Sequence, residues 1–387
     1  MKRKLQNLAF CAYAFSLNFE MLSPFGENFS VSKIAAYCYI ASLCLDIKKI
    51  FNTCQIGLYV ICLFLMVIIF MISDLVNGGA TFVNISFLLN VFLFWFIANH
   101  YREDNTILDK GIISYYFGSI LLVLFFILGI GVSINEIGGR LTMFGDNENA
   151  VGIKTATAIV FSVYLLLKTK KLWHRCVMML PLIGLISLNM MTASRTGLAI
   201  WSLGVLTLLF FNIRSRVNRV LLIASIGFVF IFSLSNMKEE LVLYDRIMEV
   251  SEKGDLSGRD DIWKSYLPAI ENNPILGVGY DGTQVWGKHY LGEDISPHNV
   301  FIEILLYGGV VGLTPFVMFL AMMVIHRFKK YKEEHQIFYV TFLLVIFAYL
   351  LSGQMLYVKL FWLLSSLGIA ESVIIRRNNE KNIVHNQ

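Results

Sequence analysis

The chain has 387 residues, of which 57% are hydrophobic, 14% aromatic and only 15% charged. This composition is typical of a protein surrounded mostly by lipid, and it excludes an ordinary water-soluble domain. The formal net charge of +5 is a signal of membrane topology, since lysines and arginines cluster beside hydrophobic segments, and it gives no indication of nucleic-acid binding.

Apolar runs follow one another along the whole chain. The strongest approach or exceed the ~20 residues that cross a hydrocarbon core of ~30 Å. They cover residues 55–73, 81–99, 111–132, 150–167, 219–235 and 336–352. Weaker runs cover residues 8–24, 31–46, 176–192, 196–213, 299–326 and 358–375. The sequence therefore predicts an all-α polytopic membrane protein with about twelve transmembrane helices.

The positions of lysine and arginine indicate the orientation of these helices, because basic loops stay on the cytoplasmic side during insertion. If the N-terminus is cytoplasmic, the cytoplasmic segments hold 21 of the 32 lysines and arginines. Six of the others lie in one long loop, residues 236–298, and long loops translocate regardless of charge. We predict one integral membrane domain over residues 1–387, with cytoplasmic termini and an external subdomain at 236–298.

Two arginines lie in short external segments that precede this loop. Arg140 follows two glycines, and Arg195 lies between adjacent spans in the segment 192–197. An arginine at a membrane junction is costly, so we interpret Arg195 as a functional residue. With Arg246, Arg259 and His298, these side chains are candidates to converge on one negatively charged ligand.

The long external loop contains a second helical pattern, which begins at residues 257–263. Ser257 and Asp260 form an N-cap pattern, and the apolar residues from 262 to 270 recur at helical spacing. The sequence predicts a short amphipathic helix with Arg259 at its N-terminus, where free N–H groups and a guanidinium together suit a phosphate. A surface salt bridge from Arg259 to a neighbouring aspartate is the alternative.

His298 and Asn299 lie where the loop re-enters the membrane. A histidine there is able to act as a base or to donate to a phosphate, although an interfacial histidine at a helix cap is the simpler reading. Glu303 lies on roughly the same side of the following helix, facing either the same site or the interface. Further along, Gly308, Gly309 and Gly312 favour close helix packing.

Taken in order, several of these motifs resemble the signature of the O-antigen ligase/Wzy polymerase superfamily. They are Ser194-Arg195-Thr196-Gly197, Ser-Gly-Arg-x-x-x-Trp at 257–263, Pro-Ile-Leu-Gly-Val-Gly at 274–279, His298-Asn299 and Gly308-Gly309-x-x-Gly312. The motifs cover roughly residues 145–315, and the number of spans extends the resemblance to the remainder. Each motif is weak alone, but their order, spacing and external placement make the combination specific.

The resemblance implies a GT-C-like membrane glycosyltransferase that uses undecaprenyl-diphosphate-linked oligosaccharides at the outer face of the cytoplasmic (inner) membrane. It implies that Arg195 and Arg259 bind the diphosphate and that His298 contacts it or acts on the acceptor hydroxyl. The remaining candidates for substrate binding are Arg140, Arg246, Asn299 and Glu303. Because Glu27 is the only acid in the first external loop, we expect no metal and no cofactor.

The acceptor is the least determined part of this prediction. We favour a polymerase of O-antigen, capsule or exopolysaccharide repeats, with a flippase and a chain-length regulator as partner proteins. A ligase that transfers glycan to lipid A-core is the alternative. A protein-directed transferase is less favoured, because no extra domain follows the last span. A transporter or flippase would also have about twelve spans, but here the basic residues concentrate in one external loop.

Overall fold

The structure is a computed structural model, and it is mostly helical. It describes residues 2–24, 26, 29–46, 56–79, 83–135, 139–212, 242, 259–292, 296–328, 346 and 356–370. Internal contacts divide the chain into two compact units. Unit 1 comprises residues 1–42, 109–254 and 333–348, and unit 2 comprises residues 43–108, 255–332 and 349–387. The predicted organisation as a single domain stays a prediction.

The elements of the described segments are mainly helices, with one pair of strands. In chain order they are α1 (Lys2–Ser16), α2 (Val31–Leu43), α3 (Gly57–Val76), α4 (Val83–Glu103), α5 (Ile107–Ile127), β1 (Val132–Ile134), β2 (Leu141–Met143), α6 (Glu148–Lys168), α7 (Leu172–Met191), α8 (Arg195–Asn212), α9 (Arg259–Asn272), α10 (Gly279–Leu291), α11 (Val300–Phe328) and α12 (Lys359–Ala370). Short 3-10 turns follow α1 and α2, at Leu17–Phe19 and Cys44–Asp46.

Five of the described helices are long and apolar enough to cross a membrane. They are α3, α5, α6, α7 and the Val300–Ile325 part of α11, and α8 and α12 contain shorter apolar stretches. These helices support a multi-span membrane protein. The predicted span at 219–235 and nearly all of that at 336–352 lie outside the described residues, so the number of twelve stays a prediction.

Unit 1 contains a small antiparallel hairpin that the all-α prediction did not include. Strand β1 pairs with β2 in the register Val132 to Met143 and Ile134 to Leu141. Leu141 and Met143 are buried while Thr142 is only partly so, as the two-residue period of a strand requires. Their side chains join a hydrophobic cluster with Val151 of α6 and Leu188 of α7. The hairpin is therefore anchored on the helices.

Helix α11 of unit 2 is interrupted at Gly309, whose backbone has φ 58° and ψ −159°. The segment 274–278 replaces the hydrogen bonds that this interruption removes. Val278 N–H donates to Leu306 O over 2.7 Å, and Val310 N–H donates to Pro274 O over 2.9 Å. Irregular backbone at membrane depth is tolerated where protein groups satisfy it. The glycine motif of α11 and the 274–279 motif are thus two halves of one backbone junction.

The glycines of this junction are needed for close approach. A Cβ atom on Gly308 would lie 2.8 Å from Cδ1 of Phe70 in α3, so the expected close helix packing is present. Gly277 and Gly279 have φ of 71° and 75°, in the left-handed region that favours glycine, in agreement with the predicted turn. Any larger residue at these positions would separate the loop from the helices.

Candidate functional site

Helix α9 begins at Arg259 and has Asp260 and Asp261 in its first turn, as the sequence predicted. One turn further, Trp263 Nε1 donates to the Pro297 carbonyl oxygen over 2.8 Å. This hydrogen bond fastens the first turns of α9 to the loop that leads into α11. It therefore brings the segment that carries Arg259 to the segment that carries His298.

The backbone around His298 is tightly defined. His298 has φ 49°, a left-handed conformation that is uncommon for a residue other than glycine, and its N–H donates to Ser296 Oγ over 3.2 Å. Asn299 Oδ1 accepts from the N–H groups of Phe301 and Ile302 at 2.9 and 3.3 Å. Asn299 is thus the N-cap of α11, and the histidine immediately before it is held outside the helix.

His298 and Arg259 are electrostatic neighbours. The pKa of His298 is lowered from its ordinary value of 6.5, first by burial of the imidazole and second by the positive charge of Arg259. The two residues are therefore within electrostatic range of each other in unit 2, and their shared role in binding a ligand stays a prediction. A cationic guanidinium beside a neutral imidazole offers one charged group and one hydrogen-bonding group to an anion with an adjacent hydroxyl.

Glu303 lies one turn into α11 and is buried, with 1% of its surface exposed. Its Oε1 accepts a hydrogen bond of 3.1 Å from Tyr307 Oη. Its Oε2 is buried and has no hydrogen-bond partner in the described part of the chain. Glu303 therefore faces the interior of unit 2, and the alternative that it reaches the membrane interface does not hold.

In unit 1, the segment 192–197 forms a sharp turn that places Arg195 at the first position of α8. Ala193 has φ 49°, and Ser194 Oγ accepts from Gly197 N–H over 3.1 Å, as an N-cap residue does. A Cβ atom on Gly197 would lie 2.8 Å from the Gly152 oxygen of α6. The serine and the glycine of the motif thus fix where α8 starts, and with it the position of Arg195.

Arg140 is bound by groups of the protein. Its Nε donates to the Thr192 oxygen over 3.0 Å and its Nη2 to Asn149 Oδ1 over 2.8 Å. Its Nη1 lies 3.5 Å from Glu148 Oε2. Asn149 Oδ1 also accepts from Ser194 Oγ over 3.3 Å. The structure therefore brings Arg140 to the turn before Arg195, in a network that neutralises its charge.

The sequence prediction missed a charged residue inside a predicted span. Lys154 of α6 has a side chain only 3% exposed, and it forms ion pairs with Asp146 and, at 3.7 Å, with Glu20. The sequence did contain a signal, because a lysine within the apolar run 150–167 needs a partner in the membrane. These ion pairs tie α6 to the segment after α1 and to the loop before α6.

The remaining predicted residues are placed as follows. Arg246 lies outside the described residues. Arg140 and Arg195 belong to unit 1, whereas Arg259, His298, Asn299 and Glu303 belong to unit 2, so the convergence of the arginines on one ligand stays a prediction. Within the segments that the structure describes, no group of three or more His, Cys, Asp or Glu side chains is arranged to hold a metal ion.

The comparison with known families bears on these motifs directly. Residues 180–317 match the family model described as O-antigen ligase, a stretch that includes Arg195, Arg259 and His298. Residues 180–317 are therefore similar to the O-antigen ligase superfamily. This confirms the resemblance that the motifs indicated. The start of α8, the start of α9 and the break of α11 at Gly309 all lie within the matched residues.

A relative supports the same assignment over a longer range. The chain is 22% identical over 366 residues to the ComP-specific O-oligosaccharyltransferase of Acinetobacter baylyi, an alignment that covers 87% of this chain and 66% of that protein. The chain thus spans just under two thirds of the length of this relative. The similarity therefore extends well beyond residues 180–317.

Proposed function

We propose that the protein is a membrane glycosyltransferase that transfers glycan from undecaprenyl diphosphate to a hydroxyl group at the outer face of the cytoplasmic membrane. The observation that supports this best is the hydrogen bond from Trp263 of α9 to Pro297, which brings the segment of Arg259 to that of His298, within the residues that match the O-antigen ligase family. In the reaction, the acceptor oxygen forms a bond to the anomeric carbon, the bond to the diphosphate breaks, and undecaprenyl diphosphate leaves with the electron pair.

The role we propose for the arginines is to stabilise the leaving diphosphate. Negative charge grows on the diphosphate as the glycosidic bond breaks, and a fixed guanidinium stabilises that charge through paired hydrogen bonds. Arg259 is at the N-terminus of α9, where the helix N–H groups add to the attraction for phosphate. The family motif alone assigns the same role to Arg195.

His298 suits the acceptor side. Its lowered pKa leaves the imidazole neutral near pH 7, the form that accepts a hydroxyl proton. Asn299 holds the start of α11 and thereby the position of His298, so we assign Asn299 a positioning role.

For the acceptor, we propose a second lipid-linked repeat unit, which makes the protein a polysaccharide polymerase in the inner membrane, acting after a flippase and with a chain-length regulator. A second candidate is transfer to a protein, because the relative from Acinetobacter baylyi is named as an oligosaccharyltransferase specific for ComP. Transfer to lipid A-core is the third candidate, since the matching family is described as O-antigen ligase.

A deletion strain separates these acceptors. Loss of a polymerase leaves surface glycan with a single repeat, loss of a ligase leaves polymer on its lipid carrier, and loss of a protein-directed transferase leaves the target protein unglycosylated. Glycan length on gels, lipid-linked intermediates and the mass of surface proteins are the measurements. Retention of lipid-linked repeats on the cytoplasmic side would instead indicate a flippase and would overturn the proposed function.

A further inference from the structure

Asn189 lies near the end of α7, just before the segment 192–197, and only 1% of its surface is exposed. Its side-chain amide donates to the Gly152 carbonyl oxygen over 2.7 Å and to Thr155 Oγ1 over 2.8 Å, both in α6. Its Oδ1 accepts from Trp201 Nε1 of α8 over 3.1 Å. One buried asparagine of unit 1 therefore joins α6, α7 and α8 beside the segment that leads to Arg195.

The partners of Asn189 require an amide. The indole N–H of Trp201 is only a donor, and the Gly152 carbonyl oxygen is only an acceptor. The Thr155 hydroxyl gives its own proton to the Val151 oxygen over 2.8 Å, so it accepts the hydrogen bond from Asn189. An asparagine side chain offers two N–H donors and one acceptor oxygen at a single point, and here both donors and the oxygen are used.

The amide of Asn189 also lies against the first turn of α8. A Cβ atom on Gly197 would lie 3.0 Å from Asn189 Nδ2 and 2.8 Å from the Gly152 oxygen, and one on Gly152 would lie 2.4 Å from Ser194 Cβ. Small residues thus let α6 and α8 approach closely, with the amide between them. Gly197 is two residues after Arg195, so a shift of this amide would displace the turn that carries the arginine.

The main chain of Asn189 supports the other end of the same segment. The Asn189 carbonyl oxygen accepts from Thr192 Oγ1 over 2.6 Å, and Thr192 Oγ1 accepts from the Ser194 N–H over 3.3 Å. Between them, Ala193 has φ 49°, a conformation that persists only where the surrounding structure enforces it. Both ends of the turn before Arg195 are therefore connected to Asn189.

We propose that Asn189 is a positioning residue, which together with Trp201 fixes the start of α8 and thereby the place of Arg195 at the diphosphate. The inference rests on the proposed function, in which Arg195 binds the diphosphate. Hydrogen bonds between membrane helices contribute only modestly to stability, whereas a displacement of about 1 Å at a reacting group lowers the rate by up to about 10²-fold. Loss of the amide should therefore affect activity more than folding.

The test compares Asn189→Ala, Arg195→Ala and the double variant in the full-length protein in lipid nanodiscs, with a synthetic lipid-linked repeat as donor and acceptor. We expect Asn189→Ala to lower kcat by about 10–10²-fold. If Asn189 acts through Arg195, adding Asn189→Ala to Arg195→Ala should lower kcat by no more than about twofold further. A general loss of structure would instead multiply the two single effects.

Asn18→Ala is the matched control, because it removes a second buried asparagine of unit 1. Asn18 Nδ2 donates to the Tyr115 oxygen over 3.1 Å, and its Oδ1 accepts from Ser119 Oγ over 2.9 Å, both in α5. Like Asn189, it lies against a helix glycine, since a Cβ atom on Gly118 would lie 2.7 Å from Asn18 Nδ2. Asn18→Ala should lower the unfolding temperature to an extent similar to Asn189→Ala, with kcat close to that of the wild type.

The inference is overturned if Asn189→Ala transfers glycan at the wild-type rate, if Asn18→Ala loses as much kcat, or if the double variant shows the product of the two single effects. Trp201→Phe and Thr155→Val each remove one hydrogen bond of the amide and should lower kcat less than Asn189→Ala. Should Asn189→Ala fail to fold, an unchanged kcat in both of these variants would equally refute the inference. Normal kcat in Arg195→Ala would instead refute the role proposed for Arg195, and a wild-type protein that transfers no glycan would refute the proposed function.

Discussion

The two units differ in how the charged groups named above are partnered. In unit 1, Lys154 is paired with Asp146 and Glu20, and Arg140 is paired with Glu148. In unit 2, by contrast, one oxygen of Glu303 has no partner in the described residues, and His298 lies beside a cation that disfavours its protonation. Lys154 and Arg140 of unit 1 are thus paired within the protein, whereas His298 and Glu303 of unit 2 are not held in ion pairs in the described residues.

This difference distinguishes buried charges that stabilise the fold from groups that are suited to take part in a reaction. A buried ion pair that is fully satisfied holds elements in register, and removing one partner leaves an uncompensated charge. A buried group that the protein leaves unpartnered, or whose protonation it disfavours, is typical of a functional site. The comparison predicts that substitution of Lys154 in unit 1 lowers stability first, and that substitutions of Arg259 and His298 in unit 2 lower activity first.

The largest effect on stability is expected for Lys154→Met. The substitution leaves the carboxylates of Asp146 and Glu20 buried without their cation, which should destabilise the fold by about 3–5 kcal/mol. Thermal unfolding in detergent measures this. Lys168→Met is the matched control in the same helix, because its ion pair with Asp109 is 2.9 Å long but half exposed and contributes only about 0–1 kcal/mol. Equal stability of the two variants would contradict the role assigned to Lys154.

The next effect, on activity, is expected for Arg259→Ala. Loss of a fixed cation at the leaving diphosphate should lower kcat by about 10²–10³-fold, and Arg259→Lys should restore only part of the rate because it lacks the planar guanidinium. Lys264→Ala removes a positive charge from an exposed position of the same helix and should have no effect. Normal glycan transfer by the Arg259→Ala protein would show that Arg259 is not part of the site.

The sequence predicted the features that depend on residues close together in the chain. It did not predict those that depend on contacts between distant segments. The helix that begins at Arg259 follows from the helical spacing of its own apolar residues, and the sequence predicted it. The hydrogen bonds between 274–278 and the break at Gly309 connect segments some thirty residues apart, so local pattern identified both motifs without revealing that they meet. The environment of Asn189 likewise depends on Gly152 and Trp201, which local spacing does not place beside it.

A smaller effect on activity is expected for substitutions in the hydrogen-bond network around Arg140. If Arg140 acts by holding the turn before Arg195, then Arg140→Ala and Glu148→Ala should lower kcat/KM to a similar extent, and the double variant should lose little more. The coupling energy from this cycle should be about 0.5–3 kcal/mol. If Arg140 binds phosphate directly, removing Glu148 would free the guanidinium, and the affinity for the donor would rise. The affinity of the Glu148→Ala protein for the donor therefore shows whether Arg140 positions the turn or binds phosphate directly.

The smallest effect is expected in the pH dependence of stability, and it tests the environment of His298 alone. The pKa of His298 is lower in the folded protein than its ordinary value of 6.5, so the unfolded chain binds more protons at and below that pH, and folding weakens as the pH falls. His298→Asn should remove this contribution, so the unfolding temperature of the variant should fall less than that of the wild type between pH 7.5 and 5.5. Identical slopes for both proteins would show that the imidazole is neither buried nor beside Arg259, and the neutral form proposed for His298 near pH 7 would lose its physical cause.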